Sequence, residues 1–142
     1  MSKFSLSVAA ATLLLGLSVS SSAQTNAAPP RRLDFDHLIP NVPGKSFKTV
    51  VVNYAPGQVS PAHAHAQSAF VIAYVLEGEI QSAVNGEPAK TYKVGEYWTE
   101  NPGDHHTTSG NASKTNPAKL LAMFIVDTKD TVLTRSLPAE KR

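Results

Sequence analysis

Between Phe47 and Val126 the apolar stretches are short, and glycine, proline or an Asn-Gly pair separates each from the next. That punctuation leaves no room for a useful helical period, and short extended segments at even spacing lead to a sandwich or barrel. Phe47–Tyr54 is Val-rich and loosely alternating, and Ala55-Pro56-Gly57 turns the chain. Ala69–Leu76 is apolar at every position, which predicts a strand covered on both faces. Period alone leaves a helix open there, but β-branched and aromatic content and the Gly78 stop favour a strand. Glu77-Gly78 reads as a bulge or tight bend, Glu79–Val84 as a half-exposed strand, and Asn85-Gly86 as a hairpin turn. Further short strands are expected at Lys90–Lys93, Glu96–Thr99, His105–Ser109 and Ala118–Val126, with a turn at Asn101-Pro102-Gly103-Asp104 and a polar loop from Gly110 to Pro117. Leu33–Pro43 reads as irregular, because Pro40 and Pro43 forbid a helix and Asn41–Gly44 reads as a turn.

Two histidines, His63 and His65, stand one residue apart after the Pro56-Gly57 turn. Residues i and i+2 of a strand share a face, so their imidazoles can aim at one point. Neutral imidazole is a common transition-metal ligand. Such a pair is also a frequent surface feature. A second cluster, Asp104-His105-His106, follows another Pro-Gly turn and strengthens the metal reading. His37, beside Asp34 and Asp36, reads as a solvated histidine.

The N-terminus reads as an export signal. Lys3 supplies a positive charge, an apolar run from Phe4 to Val19 follows, and Ser21-Ser22-Ala23 offers small residues for cleavage after Ala23. The run is short and polar for a membrane span, which needs about 20 apolar residues. A periplasmic or secreted protein is expected, with no membrane partner after cleavage. Residues 1–23 are then a signal peptide, 24–46 a mobile linker and lead-in, 47–127 the barrel and 128–142 a polar tail. In that tail only Val132, Leu133 and Leu137 are available to bind it back. The net charge of +2 is scattered, with Arg31-Arg32 and Lys141-Arg142 the only adjacent basic pairs, so no nucleic-acid partner is expected. The chain has no cysteine, so any metal is held by nitrogen and oxygen donors. No nucleophile elbow, phosphate-cradling loop or HExxH motif is present.

From Phe47 to Val126 the pattern resembles a single-domain cupin. The family's first motif pairs a glycine, five residues and HxH with a later glutamate and glycine; Gly57, His63 and His65 fall on it, and Gly78 lies slightly late. Its second motif is met by Gly95, Gly103 and His106, with the proline displaced to Pro102 and the asparagine to Asn111. The resemblance implies an all-β, cupin-type jelly-roll β-barrel in which His63, His65 and His106 hold one divalent transition metal (Fe, Mn, Zn, Ni or Cu). The family's glutamate should fall at Ala69, Phe70 or Val71, and none is acidic, so a three-histidine site without a carboxylate is expected.

Gln67 continues the i, i+2, i+4 face of His63 and His65 and is a candidate fourth ligand, or else a hydrogen-bond donor in the pocket. His105 points away from His106 on an extended segment; it is exposed, or an acid/base group at the pocket mouth. Asp104 is read as a turn residue that can also orient an imidazole. Tyr54, Phe70, Tyr74, Tyr97, Trp98 and Phe124 are read as core or pocket lining. Glu77, Glu79, Glu96 and Glu100 are read as solvated. The three-histidine subset of cupins includes iron dioxygenases, which implies an oxygen-dependent oxidation of a small organic substrate. The alternatives are a non-catalytic ligand-binding or sensing module and a metal-dependent isomerase or decarboxylase. The resemblance further implies a homodimer.

Overall fold

The computed structural model describes residues 28–138. The expected export signal, the expected cleavage site and the first linker residues lie outside the described residues. Eleven strands form, all in antiparallel pairs: β1 (Arg31–Leu38), β2 (Lys45–Tyr54), β3 (Val59–Ser60), β4 (His63–His65), β5 (Phe70–Glu77), β6 (Glu79–Val84), β7 (Lys90–Lys93), β8 (Tyr97–Glu100), β9 (His105–Asn111), β10 (Ala118–Asp127) and β11 (Thr134–Ser136). One sheet runs β1-β2-β10-β5-β8. The other runs β11-β4-β9-β6-β7, with β3 also on β9. The two sheets face each other, which is the jelly-roll arrangement expected from the short strands.

The inward face of the first sheet follows the two-residue period. Val52 and Tyr54 on β2, Leu120, Ala122, Phe124 and Val126 on β10, and Val71, Ala73 and Val75 on β5 are all buried. They form two apolar clusters, one around Val75, Ile80 and Trp98 and the other around Val71, Phe124 and Val126. The candidate site lies in the interior between this face and the second sheet, whose β4 and β9 carry the three histidines.

Gly78 is where the chain leaves the first sheet for the second. Its φ is +68°, and a Cβ there would lie 2.5 Å from the Pro117 carbonyl oxygen. Only glycine satisfies both constraints. At Asn85 and Gly86 both φ angles are positive, 55° and 76°, and Glu87 N–H donates to the Val84 carbonyl at 3.0 Å. These are the marks of a type I′ turn.

Three expectations are corrected. The segment read as irregular contains β1, which pairs along β2 from Arg31↔Val52 to Leu38↔Ser46 with one bulge. Its side chains are exposed, so it buries no stripe that a sequence pattern would register. β5 is not covered on both faces. Val71, Ala73 and Val75 are buried, Phe70, Ile72 and Tyr74 are half-buried, and Leu76 is 41% exposed. The tail beyond 127 contains β11, which pairs with β4 through Thr134↔His65 and Ser136↔His63.

Candidate metal centre

The strand pattern brings the two histidine clusters together. β4 and β9 are neighbours, with His63 opposite His106. One ligating atom from each of His63, His65 and His106 lies within 4.8 Å of the others. The ring centroids of His63 and His65 are 5.0 Å apart, those of His63 and His106 4.9 Å, and those of His65 and His106 6.5 Å. His63 and His106 are buried and His65 nearly so.

Hydrogen bonds engage Nδ1 of His63 and of His65 and both nitrogens of His106. His63 Nδ1–H donates to the Pro61 carbonyl at 2.8 Å, and His65 Nδ1–H to the Leu133 carbonyl at 3.1 Å. A carbonyl only accepts, so Nδ1 carries a proton in both rings, and in the neutral form of each ring Nε2 presents a lone pair. His106 Nε2 bonds Ser82 Oγ at 2.8 Å, and its Nδ1 lies 3.2 Å from Glu100 Oε1.

Glu100 is the residue that the sequence reading missed. It is 2% exposed, not solvated. It alternates with Trp98 on β8, and the buried indole puts the carboxylate on the same inward face. The Trp98 indole N–H donates to Oε1 at 3.1 Å. Oε2 lies 3.3 Å from His65 Nε2, yet no hydrogen bond reaches it. The strand-period argument applied to Trp98 would have turned Glu100 inward from the sequence alone.

The family's expected glutamate position and Glu100 are adjacent. Val71, one of the three apolar residues at that position, is the direct cross-strand partner of Glu100. The barrel therefore has a carboxylate on that face, delivered by β8 instead of β5.

Two of the imidazoles, His63 and His106, are tuned toward neutrality. Burial pushes His63 down to about 4, opposed by its hydrogen bond to Pro61 and aided by the charges of His106, His65 and Arg31. Burial also pushes His106 below the ordinary histidine value, against the pull of Glu100. Burial alone would raise Glu100, but its polar contact with His65, the charges of His106 and His65 and the Trp98 indole outweigh it and hold the carboxyl below its usual range. These groups surround a cavity of about 290 Å³, walled by apolar residues that include Val52, Leu120 and Phe124.

The cupin domain family model matches residues 50–124 of the chain. The chain belongs to the cupin family. This cupin is 33% identical over 90 residues to Germin-like protein subfamily 2 member 2 of Arabidopsis thaliana, an alignment covering 61% of this chain and 40% of that protein. With member 4 of the same subfamily and organism it is 36% identical over 77 residues, covering 51% of this chain and 34% of that protein. The cupin thus spans less than half the length of the curated relatives it matches. Among solved structures it resembles an uncharacterized double-stranded β-helix protein of Klebsiella pneumoniae (TM-score 0.61, 18% identity, 80% of this chain and 87% of that one). It also resembles an oxalate oxidase bound to the substrate analogue glycolate (TM-score 0.54, 20% identity, 84% and 62%). These structural likenesses support the fold.

The donor set of this cupin fits a divalent ion. With both rings neutral, two Nε2 lone pairs and the unpartnered Glu100 Oε2 meet in a buried place, where a shared metal ion or a proton on His65 Nε2 relieves the repulsion. Imidazole and carboxylate are the donors that a first-row divalent ion accepts. The other sequence candidates lie elsewhere. β4 ends at His65 and the chain turns, with Ala69 N–H donating to the Ala66 carbonyl at 2.8 Å. Gln67 consequently leaves the histidine face and is exposed, not a fourth ligand lining the cavity. His105 is exposed on the side of β9 opposite His106. Asp104 orients no imidazole; it accepts from Asn101 N–H at 2.7 Å and from Asn85 Nδ2 at 2.8 Å. Asn111 donates to the Ala55 and Asn116 carbonyls and ties loops together. Tyr54 and Phe124 line the cavity, whereas Phe70, Tyr74 and Tyr97 alternate to the outer face.

Proposed function

We propose that this cupin holds one divalent transition metal through His63, His65 and His106, with Glu100 as its acidic partner, and carries out an oxygen-dependent oxidation of a small organic molecule in the barrel cavity. The observation that carries the reading is Glu100 Oε2: a buried carboxylate oxygen without a hydrogen bond, 3.3 Å from an imidazole nitrogen whose proton is on the far side of the ring.

A bound ion of this kind supplies Lewis-acid polarisation of a ligand oxygen and, if redox-active, electron exchange with O2. The chain does the rest. Pro61 and Leu133 hold His63 and His65 in the tautomer that ligates, and Ser82 orients His106. Trp98 steadies Glu100 through Oε1 and leaves Oε2 to the site. Val52, Val71, Leu120 and Phe124 give the space around the reacting atoms an apolar wall.

The same Oε2 supports one second reading, a metal-dependent isomerase or decarboxylase in which Glu100 moves a proton. Elemental analysis of protein isolated from its native compartment tests the metal. Stoichiometric metal is expected, and its absence, with no change on chelation, ends both readings. Oxygen uptake with a panel of phenols, diketones and thiols separates them: uptake supports oxidation, and turnover without uptake supports the second.

Export and homodimer formation belong to the same proposal. The export signal motivates the first. The outer face of β5, with Ile72 and Tyr74 half-buried and Leu76 exposed, supports the second. A monomer in sedimentation at micromolar concentration would remove the dimer.

A further inference from the structure

The cavity has one cationic wall residue besides the histidines, and no ligand role has been given to it. Arg31 opens β1 and is paired in register with Val52, whose side chain is buried on the interior face. Cross-strand partners share a face, so Arg31 leans over the cavity mouth, and it lines the cavity together with Leu33. Among the described residues Arg31 has no carboxylate partner. The nearest acid along its own strand, Asp34, is taken by Arg32 at 2.7 Å.

We propose that Arg31 is the recognition group for a carboxylate, so that the substrate or ligand is a small organic acid with an apolar body. The proposal rests on the reading of the barrel cavity as the substrate site. Four considerations support it. A guanidinium offers a planar fork of donors that matches a carboxylate. The wall between Arg31 and the histidines is apolar, with Val50, Val52, Leu120 and Phe124, and suits a hydrocarbon body. The volume of about 290 Å³ is that of roughly ten waters, which admits a small acid. With a divalent ion in place the site carries net positive charge, since Glu100 alone offsets it, and an anion restores balance.

The test uses the full chain, metal-loaded and after chelation, with hexanoate and its neutral isostere hexanamide as probes and titration calorimetry as readout. Hexanoate is expected to bind about tenfold tighter than hexanamide in both forms. Arg31→Gln should bring the two probes within about threefold while metal content stays unchanged, and Arg31→Lys should keep part of the preference. Equal binding of the two probes, or binding of neither, overturns the proposal. So does a preference that survives Arg31→Gln, because another group then holds the anion. Elemental analysis of the same samples reports on the metal reading separately: a metal-free protein with an Arg31-dependent preference refutes the metal and leaves the acid recognition standing.

Discussion

Val71 and Glu100 are direct cross-strand partners on the inward face of the first sheet, and the first is apolar where the second is a buried carboxylate. Paired residues on one face of adjacent strands have Cβ atoms about 4.5–5.5 Å apart, so either position can present an acid to nearly the same space. Glu100→Gln should therefore weaken metal binding by about tenfold or more. The metal-free protein should also lose some stability at neutral pH, because the fold favours the charged carboxylate over a neutral group. The exchange variant Val71→Glu/Glu100→Val should recover metal binding relative to Glu100→Val alone. Competition against a metal-sensitive dye measures both; full affinity in Glu100→Gln would show that the carboxylate is not part of the centre.

His105 and His106 separate the two faces of β9. His106→Ala should lose the metal. His105→Ala, at an exposed position, should keep it and change stability by no more than about 0.5 kcal/mol. Elemental analysis and urea unfolding of both variants make the comparison.

The metal-free protein should be sensitive to mild acid. His63 is pushed down to about 4 in the folded state from an ordinary value of 6.5, so the unfolded chain binds the extra proton between those values. Stability from this group is present above pH 6.5 and falls as pH drops toward 4, by about 3 kcal/mol in all. His106 acts in the same direction. Urea midpoints measured from pH 7 to pH 4 should decline, and His63→Asn should flatten the decline. Metal should steepen it, because protons compete for the ligand nitrogens.

Gly78 and Gly86 both have positive φ, but only Gly78 is sterically closed. A Cβ at Gly78 meets Pro117 O at 2.5 Å, whereas nothing lies within 4 Å of one at Gly86. Gly86→Ala should cost about 1 kcal/mol and Gly78→Ala clearly more, at least about 2 kcal/mol, in thermal unfolding. Equal losses would mean that the sheet crossover at Gly78 yields easily.

Truncation after Val132 tests the strap formed by β11. It removes the Leu133 carbonyl that holds His65 Nδ1 and the strand that pairs with β4. Metal affinity should fall by about 10–100-fold, as for other groups that orient a ligating histidine. Circular dichroism should still report a folded β-protein, because the main apolar clusters lie almost entirely in strands before that point.

Local chemistry made much of this barrel legible. Asn85-Gly86 codes its own backbone turn, the sharp bend at Gly78 follows from glycine, and the strands with a buried stripe announce themselves by period and composition. His63 and His65 share a face because a strand has a period of two. β1 stayed hidden because an edge strand with exposed side chains buries no stripe, and Gln67 misled because a period holds only as far as its strand, which ends at His65.

The sequence by itself determined the strands that bury an apolar stripe, their turns and the donor chemistry: imidazole and oxygen, with no thiolate. Only the tertiary structure decided that Glu100 joins the histidines, that the chain's tail supplies the carbonyl behind His65, and that Arg31 hangs over the cavity. Each of these depends on which strand lies beside which. Strand pairing is set by burial and register over the whole sheet, and residues far apart in the chain meet only when both sheets have closed.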